Sequence, residues 1–259
     1  MTMTWQHGVD PEGNATLEFR IRHTDRGEIT GALWLPADVQ PQTTLVCFGH
    51  GASGDRYQPP ISVMAGRFSK EAQLPVLAVE GPVHGLRGDG VTGTAKQQQF
   101  ISVFVQEDSV INMMDDWNDA IDGVQELLGV SIGNVAYFGL SMGSMFGIPM
   151  LAARHDVVVA TLGLVGADTD SFPHGTEILE AAEKLACPVL FIMQLDDELI
   201  SREQYLRVFD SLGSADKRIH ANPGKHGQIA SDEVDFAYEF MLDHIKGHTS
   251  DRNITVIAQ

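Results

Sequence analysis

Residues 134–147 read Asn-Val-Ala-Tyr-Phe-Gly-Leu-Ser-Met-Gly-Ser-Met-Phe-Gly. The run Val135–Phe138 has the apolar, β-branched and aromatic composition of a strand. It leads into Gly139-Leu140-Ser141-Met142-Gly143, and a helix-compatible stretch of small residues follows at once. A G-x-S-x-G pentapeptide alone is a weak signal, because glycine and serine are common. Between a strand and a helix it acquires a mechanical meaning. The chain must turn so tightly at the serine that its backbone is strained, and flanking glycines remove the β-carbons that would collide across the turn. Ser141 is therefore predicted at the strand tip, its hydroxyl above the sheet and the positive end of a helix beneath it.

Outward from this point, punctuation divides the chain into short β-runs and longer helical stretches. Leu17–Arg22 alternates, and Gly31–Leu35 follows a turn-rich segment, so the two read as an opening antiparallel hairpin. Later runs are continuously apolar, which suits strands covered on both faces. They are Thr44–Phe48, Pro75–Val79, Val135–Phe138, Val157–Leu164, Pro188–Met193 and Arg218–His220. Between them lie helical segments at about 60–73, 108–129, 143–154, 175–185, 202–212 and 231–246. This alternation predicts an α/β fold: a mostly parallel twisted sheet with an antiparallel N-terminal hairpin and helices on both faces. With no repeat and no linker, 1–259 reads as one domain. The least regular stretch, 81–107, reads as a loop near the mouth of the site. It contains Gly88-Asp89-Gly90-Val91-Thr92-Gly93, a formal dinucleotide fingerprint. That motif needs its first glycine directly at a strand end, and here the preceding strand stops near Val79.

Composition narrows the function classes. There are 17 basic against 35 acidic residues, a formal charge of −18, and such a surface repels phosphate backbones and anionic lipid. Nucleic-acid and membrane binding are not expected, and no apolar run reaches membrane-spanning length. The start, MTMTWQHGVDPEGN, has neither a basic n-region nor an apolar h-region, so a cytoplasmic protein is expected. Cys47 and Cys187 lie in apolar strand-like runs and read as buried free thiols. Metal-ligand motifs such as H-E-x-x-H or paired cysteines do not occur, and no cofactor is expected.

A serine hydroxyl is a poor nucleophile at neutral pH, so it needs a base that can take a proton and return it, and that base must be oriented. Among ten histidines, His226 lies in Asn222-Pro223-Gly224-Lys225-His226-Gly227, after the last strand and before the final helix. That location is the carboxyl edge of the sheet, where Ser141 also belongs. The acid should follow another strand between the two. Asp196-Asp197-Glu198 offers three carboxylates at such a strand end, in the order Ser…Asp…His.

Taken together, these segments resemble the α/β-hydrolase superfamily over nearly the whole chain, and within it the compact esterases and dienelactone-hydrolase-like enzymes with little or no cap. The segments are His50-Gly51-Ala52-Ser53-Gly54, Gly81-Pro82-Val83-His84-Gly85-Leu86-Arg87, the Ser141 elbow, and the acid and histidine loops. The family's acid segment runs roughly G-x-x-D-x-[VIL]-[VIL]. Aligned on Leu199 and Ile200, its aspartate falls on Asp197, with Gln194 in place of the usual glycine and Asp196 left as the alternative. The resemblance implies an oxyanion hole from the backbone N–H groups of Ala52 and Met142. It implies a mainly structural role for His84 and Arg87, with contact to a substrate carboxylate as the alternative for Arg87.

The expected activity is hydrolysis of a small or medium carboxylic ester, the small-molecule partner, through an acyl-enzyme on Ser141, by a monomer or homodimer. An acyltransferase or thioesterase would use the same three residues, and a ligand-binding relative would use only the pocket. Val83, Phe100, Phe104, Met145 and Phe172 are candidates for an apolar mouth and equally for the core.

Overall fold

The strand that ends in the serine, β6 (Asn134–Leu140), lies between β4 (Thr44–Gly49) and β7 (Val157–Gly163), parallel to both. In this computed structural model, which describes residues 2–23 and 27–248, every residue of β4 is buried and so is all of β6 except its first. That burial is what continuous apolar runs require when helices cover both sheet faces. The remaining strands are β1 (Thr2–Val9), β2 (Ala15–Arg22), β3 (Glu28–Trp34), β5 (Val76–Val79), β8 (Val189–Gln194) and β9 (Lys217–Asn222). The sheet order is β1-β2-β3-β5-β4-β6-β7-β8-β9. Pairings from β1 to β5 are antiparallel, and those from β5 through β9 are parallel.

The helices are α1 (Ile61–Lys70), α2 (Gly93–Phe104), α3 (Ser109–Leu128), α4 (Met142–Ala152), α5 (Gly175–Ala182), α6 (Arg202–Ser211) and α7 (Ser231–Ile245). On α3, Met113, Asp116, Trp117, Ala120, Ile121 and Val124 form a buried stripe at helical spacing. The helix stops at Gly129, whose φ of 65° lets its N–H close on Gln125 O at 2.9 Å. A side chain there would strain the left-handed turn by about 1–2 kcal/mol. In α6, Ser201 and Gln204 form a reciprocal capping box. Helices α1 and α7 pack through Phe68 and Tyr238, ring centroids 4.6 Å apart.

Two elements depart from the sequence reading. The opening hairpin gains a third strand, β1, an edge strand with a mixed polar sequence that carries little strand signal of its own. Within 81–107, a single 3₁₀ turn at Gly85–Arg87 and the twelve-residue helix α2 replace the expected irregular loop. The glycines before α2 hide its pattern, but Phe100 and Phe104, four apart, share its buried side. Both cysteines are buried and free, and burial pushes their thiols up, to about 12 for Cys47 and about 11 for Cys187.

Parallel strands in register bring their following loops to one sheet edge. Ala52 follows β4, Ser141 follows β6, Asp197 follows β8 and His226 follows β9, so four residues far apart in the chain meet there.

Candidate active site

Ser141 has φ 57° and ψ −121°, a left-handed conformation that a residue with a β-carbon rarely adopts. Two features hold it there. Its N–H donates to Gly163 O at 2.9 Å, while its carbonyl accepts from the N–H groups of Ser144 and Met145 at 2.8 and 3.0 Å. The Ser144 hydroxyl joins the same turn to β7, lying 2.6 Å from Gly139 O and accepting the Gly163 N–H at 2.8 Å. Close packing explains the flanking glycines. A β-carbon on Gly143 would lie 2.3 Å from Gly49 O, and one on Gly139 would lie 2.6 Å from the Tyr137 ring. The Tyr137 hydroxyl, beneath the turn, donates to Gly143 O at 2.6 Å.

His226 reaches the serine from the β9–α7 loop, with Nε2 2.9 Å from Ser141 Oγ. Its Nδ1 lies 2.8 Å from Asp197 Oδ2. The Asp197 carboxylate is 1 % exposed and fully engaged. Oδ1 accepts the backbone N–H groups of Leu199 and Ile200 at 2.7 and 3.0 Å, and Oδ2 accepts the Tyr205 hydroxyl as well as the imidazole. Burial pushes its pKa up, but the donors from Tyr205, Leu199, Ile200 and His226 outweigh that and hold the carboxyl below its ordinary range. Asp196 is exposed and turned away: its Oδ2 accepts Gly224 N–H at 3.3 Å. Glu198 accepts the backbone N–H of His226 at 3.1 Å. Gln194, buried in the place of the family's glycine, donates its amide to Gln228 O, so both sides of the acid loop grip the histidine loop.

Ala52 stands in the wall of a cavity of about 160 Å³ that opens onto Ser141 and His226. Met142 opens α4, and its N–H belongs to the first turn, where the helix offers no partner. His50 and His84, both buried, hold the Ala52 segment. The His50 Nδ1 lies 2.8 Å from Gly51 O, and the His84 Nε2 lies 3.0 Å from Ala52 O. Burial lowers both pKa values to about 4, so both rings are neutral at pH 7. Arg87 faces inward: its guanidinium donates to Asp116 Oδ2 at 2.7 Å and to Glu80 O at 3.2 Å.

Of the apolar candidates, Phe100 and Phe104 are buried in the core and Val83, Met145 and Phe172 are half-buried against it; none lines the cavity. Phe100 and Phe104 stack at 5.4 Å, and Phe104 meets Phe146 and Phe172 edge-on. The cavity wall is instead built by Leu164, Leu199, Ile229, Ile61 and Gln97. Of these only Leu199 belongs to a motif, the acid segment; Leu164, Ile229, Ile61 and Gln97 carry none, nor does Tyr205 behind the acid. Tyr205 and Val208 fall three apart on the buried side of α6, which reads as ordinary core. Gly88–Gly93 runs from the 3₁₀ turn to the first residue of α2, not from a strand end. Among the described residues, no group of three or more His, Cys, Asp or Glu is arranged to hold a metal ion, and no helix is long and apolar enough to cross a membrane.

No protein-family model and no curated protein matches the chain. Solved structures do. A cold-adapted esterase from an Arctic intertidal metagenomic library is 27% identical, over 94% of this chain and 99% of that one, with a TM-score of 0.78. Acetyl xylan esterase from Paenibacillus sp. R4 superposes with a TM-score of 0.71 over 94% and 89% of the two chains, at 14% identity. Dienelactone hydrolase from Anabaena variabilis gives 0.61 over 90% and 98%, at 16% identity. At these two lower identities the likeness is one of fold.

Proposed function

We propose that this chain, a member of the α/β-hydrolase superfamily, hydrolyses small, uncharged carboxylic esters through an acyl-enzyme on Ser141. The observation that carries the reading is the unbroken series of bonds from Ser141 Oγ to His226 at 2.9 Å and from His226 to Asp197 at 2.8 Å. The likeness to an esterase at 27% identity supports the same class of reaction.

Ser141 Oγ attacks the ester carbonyl carbon as its proton passes to His226 Nε2. The carbonyl oxygen becomes an oxyanion received by the N–H groups of Ala52 and Met142, donors of a kind worth about a hundred- to a thousandfold in rate each. Collapse breaks the bond to the alcohol, which leaves with the proton from Nε2. Water then attacks the acyl-enzyme, giving its proton to His226, and the acid departs as Ser141 regains a proton. Asp197, ionised throughout, holds Nδ1–H and with it the tautomer that leaves Nε2 free to accept.

Size and charge support a small, uncharged substrate. A cavity of about 160 Å³ is well below the roughly 300–1,000 Å³ of drug-sized sites. Among the described residues no lysine or arginine lines it, and Arg87 is committed to Asp116. A cavity of this size favours acetyl and propionyl esters; anionic esters meet neither a counter-charge in the wall nor an attractive field from a chain of charge −18. The test is a series of p-nitrophenyl esters from acetate to octanoate. The expected kcat/KM is highest for acetate or propionate and falls steadily beyond butyrate, and a fluorophosphonate labels Ser141. No turnover of any ester and no label would overturn the reading.

A further inference from the structure

We propose that Tyr205 is a positioning residue for this reaction: its hydroxyl donates to the same Asp197 oxygen that takes the His226 Nδ1–H, and thereby sets how strongly Asp197 supports an imidazolium. The inference rests on the reading of Ser141, His226 and Asp197 as the reacting set.

Tyr205 is fully buried on the first turn of α6, behind the Ser201–Gln204 cap, and its ring stands edge-on to Phe191 of β8 at 6.3 Å. The hydroxyl is thus aimed by both the sheet and the helix. Burial, the bond to Asp197 and that carboxylate's charge all hold the phenol far above its ordinary range, so it remains a donor. Because Asp197 Oδ1 is occupied by two backbone N–H groups, its Oδ2 is left to Tyr205 and His226 together. Two donors on one oxygen compete for its electron density. The stronger the phenol's share, the less the carboxylate favours a charged imidazole.

Other charges face this pair. Asp196 and Glu198 flank the carboxylate on its own loop, Lys225 adjoins the histidine, and Asp168 on the loop after β7 is tied to Gln204 of α6 at 2.9 Å. His50, across the cavity, is neutral. All of these stay in place when the phenol oxygen alone is removed.

The experiment is Tyr205→Phe, with pH profiles of kcat and KM for p-nitrophenyl acetate. The acid limb should move up by about half a pH unit, as the freed carboxylate favours the imidazolium at higher pH. At the optimum kcat should fall about three- to tenfold as Asp197 loses an anchor, with KM within about twofold. Replacing Tyr205 by 3-fluorotyrosine, a stronger donor with nearly the same shape, should move the limb the opposite way. It also decides the matter should the phenylalanine variant not fold. In substrate-free protein the downfield proton resonance of His226 Nδ1–H should shift in opposite directions in the two variants. An unmoved limb in both variants, or a loss of kcat, KM and thermal stability together without a limb shift, would overturn the proposal and leave the triad reading intact. Wild-type protein that neither turns over esters nor labels at Ser141 would overturn both.

Discussion

The backbone N–H of Gly81 donates to His50 Nε2 at 2.9 Å, which makes that nitrogen an acceptor and puts the ring proton on Nδ1. Nδ1–H therefore donates to Gly51 O, 2.8 Å away. Gly51 C=O and Ala52 N–H belong to one planar peptide, so holding the carbonyl aims the N–H. Gln58 fixes the preceding unit by accepting Gly51 N–H at 2.8 Å. His50→Phe keeps a ring in place and removes both the acceptor for Gly81 and the donor to Gly51. It should lower kcat for p-nitrophenyl acetate about ten- to a hundredfold, somewhat less than deletion of an oxyanion donor. KM should hardly change, and an unaltered kcat would show that Ala52 needs no such support.

The same two buried histidines give stability a pH dependence of predictable sign. His50 and His84 have folded-state pKa values lowered to about 4, chiefly by burial. In the unfolded chain they titrate near the ordinary value of about 6.5. Between these limits the unfolded state binds more protons, so unfolding free energy should fall as pH drops from about 6.5 to 4 and be fully present above that window. Urea titrations across the range should show a slope approaching two protons from this pair. His84→Gln should reduce that slope by about one.

Loss of the hydroxyl and relief of backbone strain can be separated at Ser141. Ser141→Ala should reduce turnover by roughly a millionfold, the scale set by removing the serine of a protease. Ser141→Gly should be equally inactive yet more stable than the alanine variant by about 1–3 kcal/mol, because φ 57° is free of cost only without a β-carbon. Thermal melts of the two variants, side by side, check the second half. Equal stabilities would mean that the turn is not strained.

The two adjacent aspartates should differ by orders of magnitude. Asp197→Asn keeps the shape but favours the wrong imidazole tautomer, with a loss of up to about ten-thousandfold in kcat. Asp196→Asn removes one exposed charge and keeps an oxygen that can accept the Gly224 N–H, so it should cost less than about tenfold. Comparable losses in both would return the question of which carboxylate serves His226.

What could be read from the chain differed by element for physical reasons. Strand β6 and the elbow were legible because a buried strand, a forced left-handed residue and two close backbone approaches each restrict residue type. The link between Asp197 and the Leu199–Ile200 pair was legible too, since the N–H groups of that pair are what its Oδ1 accepts. Helix α2 was not, because a glycine-rich approach masks the two phenylalanines that fix it to the core. The cavity wall was hidden for a different reason. Leu164, Leu199, Ile229 and Gln97 come from separate loops and a helix, and only the folded sheet edge makes them neighbours. Tyr205 carries an ordinary core signature, and its hydroxyl matters only through a carboxylate on another segment.

Gly49 and Gly143 touch backbone to backbone, so closely that a β-carbon on either would have to displace its surroundings. The elbow and the segment leading to Ala52 are thus fitted to each other without any intervening side chain. Nothing at that contact can be lengthened, shortened or recoloured by ordinary substitution. A change in the shape of the cavity must therefore be made at its rim, where the side chains of Leu199, Ile229 and Gln97 line it.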